Sequence, residues 1–190
     1  MQSWYEAARE LPVAGEYDVI VAGSGPSGAA AAITAGRLGA RVLLIEWANS
    51  VGGISTSGLM SHWTGMVDSP LYREILKRLA DRNETDRGKI VRWIDPENLK
   101  TVWLEMLAEA GVQVLLYTFV CGAVMEGSRV AGVITESKSG RRVFLGKVTV
   151  DGTGDGDVAA FAGVPYTKGR ESDGKMQPCI TWLTTHLSRD

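Results

Sequence analysis

This chain of 190 residues contains little cysteine, and its acidic and basic residues are nearly balanced in number. Its two cysteines, Cys121 and Cys179, are too few for a disulfide scaffold or a zinc site. The formal net charge is only −2, so the sequence lacks the basic face that binds nucleic acid or anionic membranes. We therefore expect no nucleic-acid partner and no metal site.

Long hydrophobic runs are also missing. The most apolar stretch, residues 19–45, is interrupted by glycines and by two arginines, whereas a membrane helix needs about 20 apolar residues in succession. Residues 1–16 are crossed by charged side chains and contain no apolar core, which argues against a secretory signal. The sequence therefore predicts a cytoplasmic protein without a membrane span.

Glycine, by contrast, is abundant, with 23 residues in the chain. Hydrophobic residues make up 45% and charged residues 22%, which is typical of globular proteins and excludes collagen-like, disordered and coiled-coil classes. At about 150 residues per domain, the length allows one domain, or one domain and the start of another.

The order of hydrophobic segments predicts an α/β fold. Residues 17–22 and 41–46 are apolar runs typical of strands buried on both faces, and the alanine-rich segment 26–38 between them predicts a helix. A strand, a helix and a strand in this order form a βαβ unit with parallel strands. The full prediction is a three-layer α/β domain with a mostly parallel sheet. Its remaining elements are helices over 71–82 and 96–110, strands near 112–117 and 147–151, and an inserted three-stranded β-meander near 119–146.

The clearest motif is a complete G-x-G-x-x-G that follows the first predicted strand and opens the first helix. Its first glycine allows a tight turn, its second lets the backbone approach a pyrophosphate, and its third lets the helix pack closely on the strand. The N–H groups and the positive dipole end of the helix then stabilise the phosphates. The motif consists of Gly23, Ser24, Gly25, Pro26, Ser27 and Gly28.

Two further features follow the motif. Glu46 ends the second predicted strand, where a carboxylate can accept hydrogen bonds from a ribose diol and would repel a 2′-phosphate. The loop 51–58 contains Gly52 and Gly53, which suggest a second backbone approach to the same phosphates, and three hydroxyl side chains. Taken alone, this loop is also compatible with a flexible surface segment.

With these motifs, residues 17–65 resemble the N-terminal segment of FAD-dependent oxidoreductases with a glutathione-reductase-like Rossmann domain. In particular, they are similar to the bacterial FAD-dependent oxidoreductases related to fumarate-reductase flavoproteins. The similarity continues through residues 95–112, through the meander, and through 148–157, where a strand precedes a Thr-Gly turn. It covers about residues 12–185.

The resemblance implies FAD as the cofactor and assigns a role to each matching residue. Residues 23–28 would hold the pyrophosphate, and Glu46 would bind the adenosine ribose. Trp47 replaces the basic residue often found there, and it could stack near the adenine or serve in packing. The remaining implied contacts are Gly52, Gly53 and Thr56 along the pyrophosphate toward the flavin, Val120 at the adenine through its backbone, and Thr153 and Gly154 over the cofactor.

A catalytic acid or base is not evident. His62 lies in the loop near which a flavin is expected, so it is a weak candidate for a flavin contact or proton transfer, the alternative being an incidental loop histidine. Residues 151–157 imitate a calcium loop, but Ala162 occupies the position of the bidentate glutamate. We therefore predict no metal.

The function predicted is an FAD-dependent oxidoreductase that transfers hydride through the flavin and acts on a small-molecule substrate. The alternatives are an NAD-binding dehydrogenase module and a non-catalytic Rossmann scaffold that binds proteins. We divide the chain into an N-terminal extension (1–16), an FAD-binding domain (17–165) and the start of a truncated substrate domain (166–190). On this interpretation the chain is an N-terminal fragment, inactive alone, whose flavin site a C-terminal half or a second chain would complete.

Overall fold

The computed structural model describes residues 3–60, 63, 68–82 and 94–176. Six strands form one mixed sheet in the order β3-β2-β1-β6-β5-β4. The first four strands in this order are parallel, and β5 and β4 continue the sheet in antiparallel pairing. The strands are β1 (Val13–Ala22), β2 (Val42–Ile45), β3 (Gln113–Leu115), β4 (Phe119–Glu126), β5 (Arg129–Glu136) and β6 (Arg142–Asp151).

Three longer helices connect the parallel strands. The loop after β2 contains a single 3-10 turn, Gly53–Ser55. The α3 helix begins as its sequence predicts, because the Asp95 carboxylate accepts hydrogen bonds from the backbone N–H groups of Glu97 and Asn98 at 2.8 and 2.9 Å. The helices are α1 (Pro26–Arg37), α2 (Pro70–Arg82), α3 (Pro96–Glu109) and the short α4 (Asp157–Phe161).

The parallel strands separate two hydrophobic cores. On one face, α1, α2 and α3 pack around the fully buried Trp103 and against Val21 and Leu44. On the other face, Ile20 and Leu43 pack against side chains of the antiparallel strands and of α4. The result is the three-layer arrangement of helices, parallel sheet and meander that the sequence predicts.

Two strands differ from the sequence prediction by more than one or two residues at an end. Strand β1 begins at Val13, four residues early, because Val13–Tyr17 pairs with the first half of β6. The last meander strand and the last parallel strand are one continuous strand, β6. Gly146 does not form a turn there: it lies opposite Tyr17, and a Cβ atom on it would approach the Ile20 side chain to 3.0 Å. The glycine therefore serves close packing.

An ion-pair network joins the helical layer. The Glu74 carboxylate on α2 accepts hydrogen bonds from Arg37 of α1 and from Arg78, and Arg78 also binds Glu109 of α3. The hydrogen bond from Arg37 is the main cause that holds the pKa of Glu74 below its ordinary value, against the opposing effect of burial. Among the described residues, no helix is long and apolar enough to cross a bilayer.

Candidate cofactor site

The candidate site lies where β1, β2 and β6 end side by side. Ala22, the last residue of β1, is in register with Ile45 on one side and with Asp151 on the other. The segments that follow these strands, which contain the described predicted site residues other than Val120, therefore meet at one edge of the sheet. In open α/β sheets this carboxyl edge is where ligands bind.

Two motif glycines are required by the protein's own packing. Gly23 has a φ of +89°, and a Cβ atom on it would overlap the carbonyl oxygen of Gly152. A Cβ atom on Gly28 would overlap the carbonyl oxygen of Gly23. The backbone N–H of Gly152 donates to the carbonyl of Ala22 at 2.8 Å, so β6 is fastened against this turn.

Gly25 differs from both of them. Its φ of −58° and ψ of 178° are open to any residue, and the nearest atom to a Cβ there would be the Gly152 oxygen at 3.9 Å. Gly25 is also the N-cap of α1, which has no side-chain cap and no acidic residue in its first turn. The backbone angles and the described neighbours of Gly25 do not require glycine at this position. A phosphate bound at the uncapped helix end would require it, because a side chain would block its approach. The residues present therefore fit a dinucleotide pyrophosphate.

Glu46 is held rigidly at the end of β2. It is 5% exposed, and its Oε2 accepts hydrogen bonds from the backbone N–H and the hydroxyl of Ser24 at 2.8 and 2.5 Å. Its Oε1 accepts a hydrogen bond from the backbone N–H of Ala48 at 2.8 Å. The fully buried Ser24 hydroxyl thus points toward Glu46, whereas the sequence prediction placed residues 23–28 as a whole at the pyrophosphate.

The adjacent glycines Gly52 and Gly53 pack against the G-x-G-x-x-G motif. The backbone N–H of Gly52 donates to the Ser24 carbonyl at 2.8 Å, and Gly53 packs against the backbone of Gly25. Thr56 is fully buried and donates its hydroxyl to the Val51 carbonyl at 2.7 Å, so this hydroxyl shapes the loop itself. The segment is therefore packed in place, in contrast to the flexible-loop alternative.

The two predicted adenine residues, Trp47 and Val120, differ in exposure. Trp47 is 69% exposed, which leaves its ring free of core packing. Val120 is buried in β4, opposite Thr135. Tyr117, three residues before Val120, donates its backbone N–H to the carbonyl of Ala48, the neighbour of Trp47, at 3.1 Å and has a φ of +52°.

The Thr-Gly turn after β6 is organised by Asp151. This carboxylate accepts hydrogen bonds from the Thr153 hydroxyl at 2.7 Å and from the backbone N–H of Ala159 at 3.0 Å. Burial raises its pKa, but these hydrogen bonds outweigh that effect and hold the pKa below its ordinary value. Gly154, with a φ of +90°, faces open space at the tip of the turn.

Comparison with known families identifies the chain. The sequence model of the family described as FAD dependent oxidoreductase matches residues 18–188. The chain belongs to this family. The predicted family, its FAD cofactor and the Rossmann-like fold are thereby confirmed, while the roles of individual site residues remain predictions.

Curated relatives of this flavoprotein include enzymes of different kinds. Over 133 residues it is 29% identical to digeranylgeranylglycerophospholipid reductase 1 of Methanococcoides burtonii, a match covering 62% of this chain and 33% of that protein. Over 124 residues it is 36% identical to thiamine thiazole synthase of Aeropyrum pernix, covering 62% of this chain and 43% of that protein. The chain thus spans less than half the length of these relatives.

Solved structures with the same fold agree with the family assignment. A geranylgeranyl bacteriochlorophyll reductase-like protein from Thermoplasma acidophilum superposes with a TM-score of 0.61 at 22% identity, covering 78% of this chain and 42% of that one. THI4 of Thermovibrio ammonificans superposes with a TM-score of 0.57 at 23% identity, covering 77% and 61% respectively. At these identities the likeness shows the fold.

Two features of the flavoprotein site fall outside what the sequence predicted. Asp151 was noted only within the imitation calcium loop, and Tyr117 was given no role, although a Thr two residues after Asp151 and an aromatic residue at the end of the third predicted strand were available signals. The weak catalytic candidate His62 lies outside the described residues. Its neighbour Trp63 donates its indole N–H to the Ser55 hydroxyl and packs near Trp103, with ring centroids 6.2 Å apart. Within the described residues, no group of acidic, histidine and cysteine side chains is arranged to hold a metal.

Proposed function

We propose that this chain supplies the ADP-binding part of the FAD site in an oxidoreductase that acts on a small-molecule substrate. The observation that carries the proposal is Gly25, the motif glycine that no backbone dihedral angle and no contact with the described residues requires. Its place at an uncapped helix end, beside a buried carboxylate at the end of β2, supports a pyrophosphate joined to a ribose.

Each part of the site has a distinct task in this proposal. The N-terminus of α1 and the backbone of residues 52–53 bind the pyrophosphate, and the Glu46 carboxylate accepts a hydrogen bond from the adenosine ribose. The backbone of Val120 and the exposed ring of Trp47 contact the adenine. The turn at Thr153 and Gly154 closes over the cofactor, and its shape is fixed by Asp151. When bound, FAD supplies hydride transfer chemistry.

The substrate class is not set by this part of the chain. The named relatives comprise a reductase and a thiazole synthase, so a shared flavin-binding scaffold supports different reactions. We further propose a cytoplasmic location for the protein.

A spectrum tests the proposed function. The chain is purified, its visible spectrum is recorded with and without added FAD, and any bound cofactor is released by denaturation and identified by chromatography. Visible flavin absorption that comigrates with the protein, with FAD as the released compound, supports the proposal. Failure to take up FAD or ADP at millimolar concentration, by a protein with a cooperative melting transition, would refute it.

A further inference from the structure

The Glu46 carboxylate already accepts three hydrogen bonds from within the protein, two from Ser24 and one from Ala48. A carboxylate has about four acceptor positions, two on each oxygen. The backbone N–H and the hydroxyl of Ser24 fill both positions of Oε2, at 2.8 and 2.5 Å, and the Ala48 N–H fills one position of Oε1, at 2.8 Å. Counting the hydrogen bonds of the described part of the chain, one acceptor position therefore remains for a ligand.

Burial keeps this arrangement in place. Ser24 is fully buried and Glu46 is 5% exposed, so water does not replace the bond between the hydroxyl and Oε2. The backbone of Glu46 is also fixed, because its N–H donates to the Leu115 carbonyl at 2.9 Å and its carbonyl accepts from the Thr118 N–H at 3.0 Å. Neither the carboxylate nor the serine is free to rotate away from the other without loss of these contacts.

We propose that Ser24 is a positioning residue that saturates Oε2 of Glu46, so that the carboxylate accepts a single ribose hydroxyl through Oε1. The inference rests on the proposed function, since it concerns how the adenosine ribose is bound. It gives Ser24 a task distinct from holding the pyrophosphate. It also means that the second ribose hydroxyl adds little to binding, although a carboxylate free at both oxygens would bind a diol through two hydrogen bonds.

Deoxy analogues of ADP show how many ribose hydroxyls donate hydrogen bonds to Glu46. The affinities of the full chain for ADP, 2′-deoxy-ADP and 3′-deoxy-ADP are compared by ligand-observed NMR titration, which reaches millimolar dissociation constants. We expect one analogue to bind about tenfold more weakly than ADP and the other to bind within about twofold of it. Comparable losses for both analogues in the wild-type chain would overturn the inference.

The variant Ser24→Ala tests the role of the hydroxyl. It frees a position on Oε2, so both deoxy analogues should then bind about tenfold more weakly than ADP. Ser24→Gly, which also lacks the hydroxyl, should give the same pattern, and Thr34→Ala, which removes an exposed hydroxyl elsewhere on α1, should keep the wild-type pattern. A variant pattern identical to that of the wild type refutes the role of Ser24.

The controls separate this inference from the proposed function. A thermal melt shows whether each variant is folded, and the wild-type comparison decides the number of hydrogen bonds even where a variant is not. If the folded wild-type chain binds neither ADP nor FAD, the proposed function fails and the inference with it. If it binds ADP and discriminates equally against both analogues, the inference alone fails.

Discussion

Gly53 lies directly against Gly25, because a Cβ atom on Gly53 would be 2.9 Å from the Gly25 Cα atom. The adjacent N–H of Gly52 donates to the Ser24 carbonyl at 2.8 Å, so the loop after β2 is fastened to the turn after β1. Two glycine-containing segments thus converge at the N-terminus of α1. A side chain introduced at residue 25 would enter the space beside this helix end.

The first prediction concerns that space. Gly25→Val should weaken ADP and FAD binding at least about tenfold, since a side chain would displace the pyrophosphate from the helix N-terminus. The unfolding free energy should change by only about 1 kcal/mol, because the backbone angles of Gly25 suit any residue. Fluorescence titration with FAD and chemical denaturation measure the two effects.

Gly28→Ala provides the contrasting variant in the same motif. Its new methyl group would overlap the Gly23 carbonyl oxygen, so we expect a loss of about 2 kcal/mol or more in unfolding free energy. Undiminished flavin occupancy in Gly25→Val would show that the pyrophosphate lies elsewhere. Equal destabilisation by the two substitutions would show that Gly25 is a packing glycine as well.

A second prediction follows from the ion-pair network of the helical layer. Hydrogen bonds, first from Arg37 and then from Arg78, hold the pKa of Glu74 below its ordinary value of 4.5. A carboxylate with a depressed pKa in the folded state stabilises the fold above the pKa of the unfolded chain, and the contribution disappears as pH falls through the folded value. Stability should therefore decrease from about pH 5 downward.

Glu74→Gln isolates this contribution. At neutral pH the variant should lose about 1 kcal/mol or less, because solvent screens partly exposed ion pairs. As pH falls through the depressed pKa of Glu74 in the folded state, the variant should approach the wild type in stability, because the wild-type carboxylate is then protonated. Urea denaturation at pH 7, 5 and 3.5 measures the difference, and a deficit that stays constant across this range contradicts the proposed electrostatic origin.

Much of the fold could be predicted because its signals are local. Buried strands, the capped start of α3 and the glycine fingerprint each follow from residues adjacent in sequence. The continuity of β6 could not be predicted in this way. In the sequence alone, Gly146 looks like a turn residue. In the structure, the Ile20 side chain on β1 lies so close that a side chain at residue 146 is excluded.

The candidate site shows the same limit. Glu46 is recognisable from its distance along the chain to the glycine motif, but its bonds to Ser24 and Ala48 depend on how two loops meet. Gly25 and Gly28 are likewise equivalent in the sequence pattern. The structure separates them, because a Cβ atom on Gly28 would overlap the Gly23 carbonyl oxygen whereas one on Gly25 would not clash with any described residue.

A third prediction concerns Tyr117, which holds a left-handed backbone conformation at φ +52°. This conformation costs a non-glycine residue about 1 kcal/mol or more, and the side chain is 69% exposed, so little packing compensates for it. Tyr117→Gly should therefore leave the unfolding free energy unchanged or raise it by about 1 kcal/mol. Tyr166→Gly, at an exposed tyrosine without a positive φ, should instead lower it. Equal losses in the two variants would mean that the Tyr117 ring makes stabilising contacts.

The last prediction concerns how the loop after β2, which contains Gly52 and Gly53, is held against the helical layer. Trp63 donates its indole N–H to the fully buried hydroxyl of Ser55, and its ring lies 5.7 Å from that of Tyr72. Trp63→Phe keeps an aromatic ring but leaves the serine hydroxyl without this donor, so unfolding free energy should fall by about 1 kcal/mol. Trp4→Phe, at a 98% exposed ring, should have no effect.

A double-mutant cycle decides whether the hydrogen bond or the ring is responsible. Ser55→Ala and Trp63→Phe should each be destabilising, and the double variant should cost about 1 kcal/mol less than their sum. Because Ser55 ends the 3-10 turn that begins at Gly53, both single variants should also weaken ADP binding by a few fold. Additive stability losses would contradict the hydrogen bond, and unchanged ADP affinity would show that the loop keeps its position beside Gly25 without this anchor.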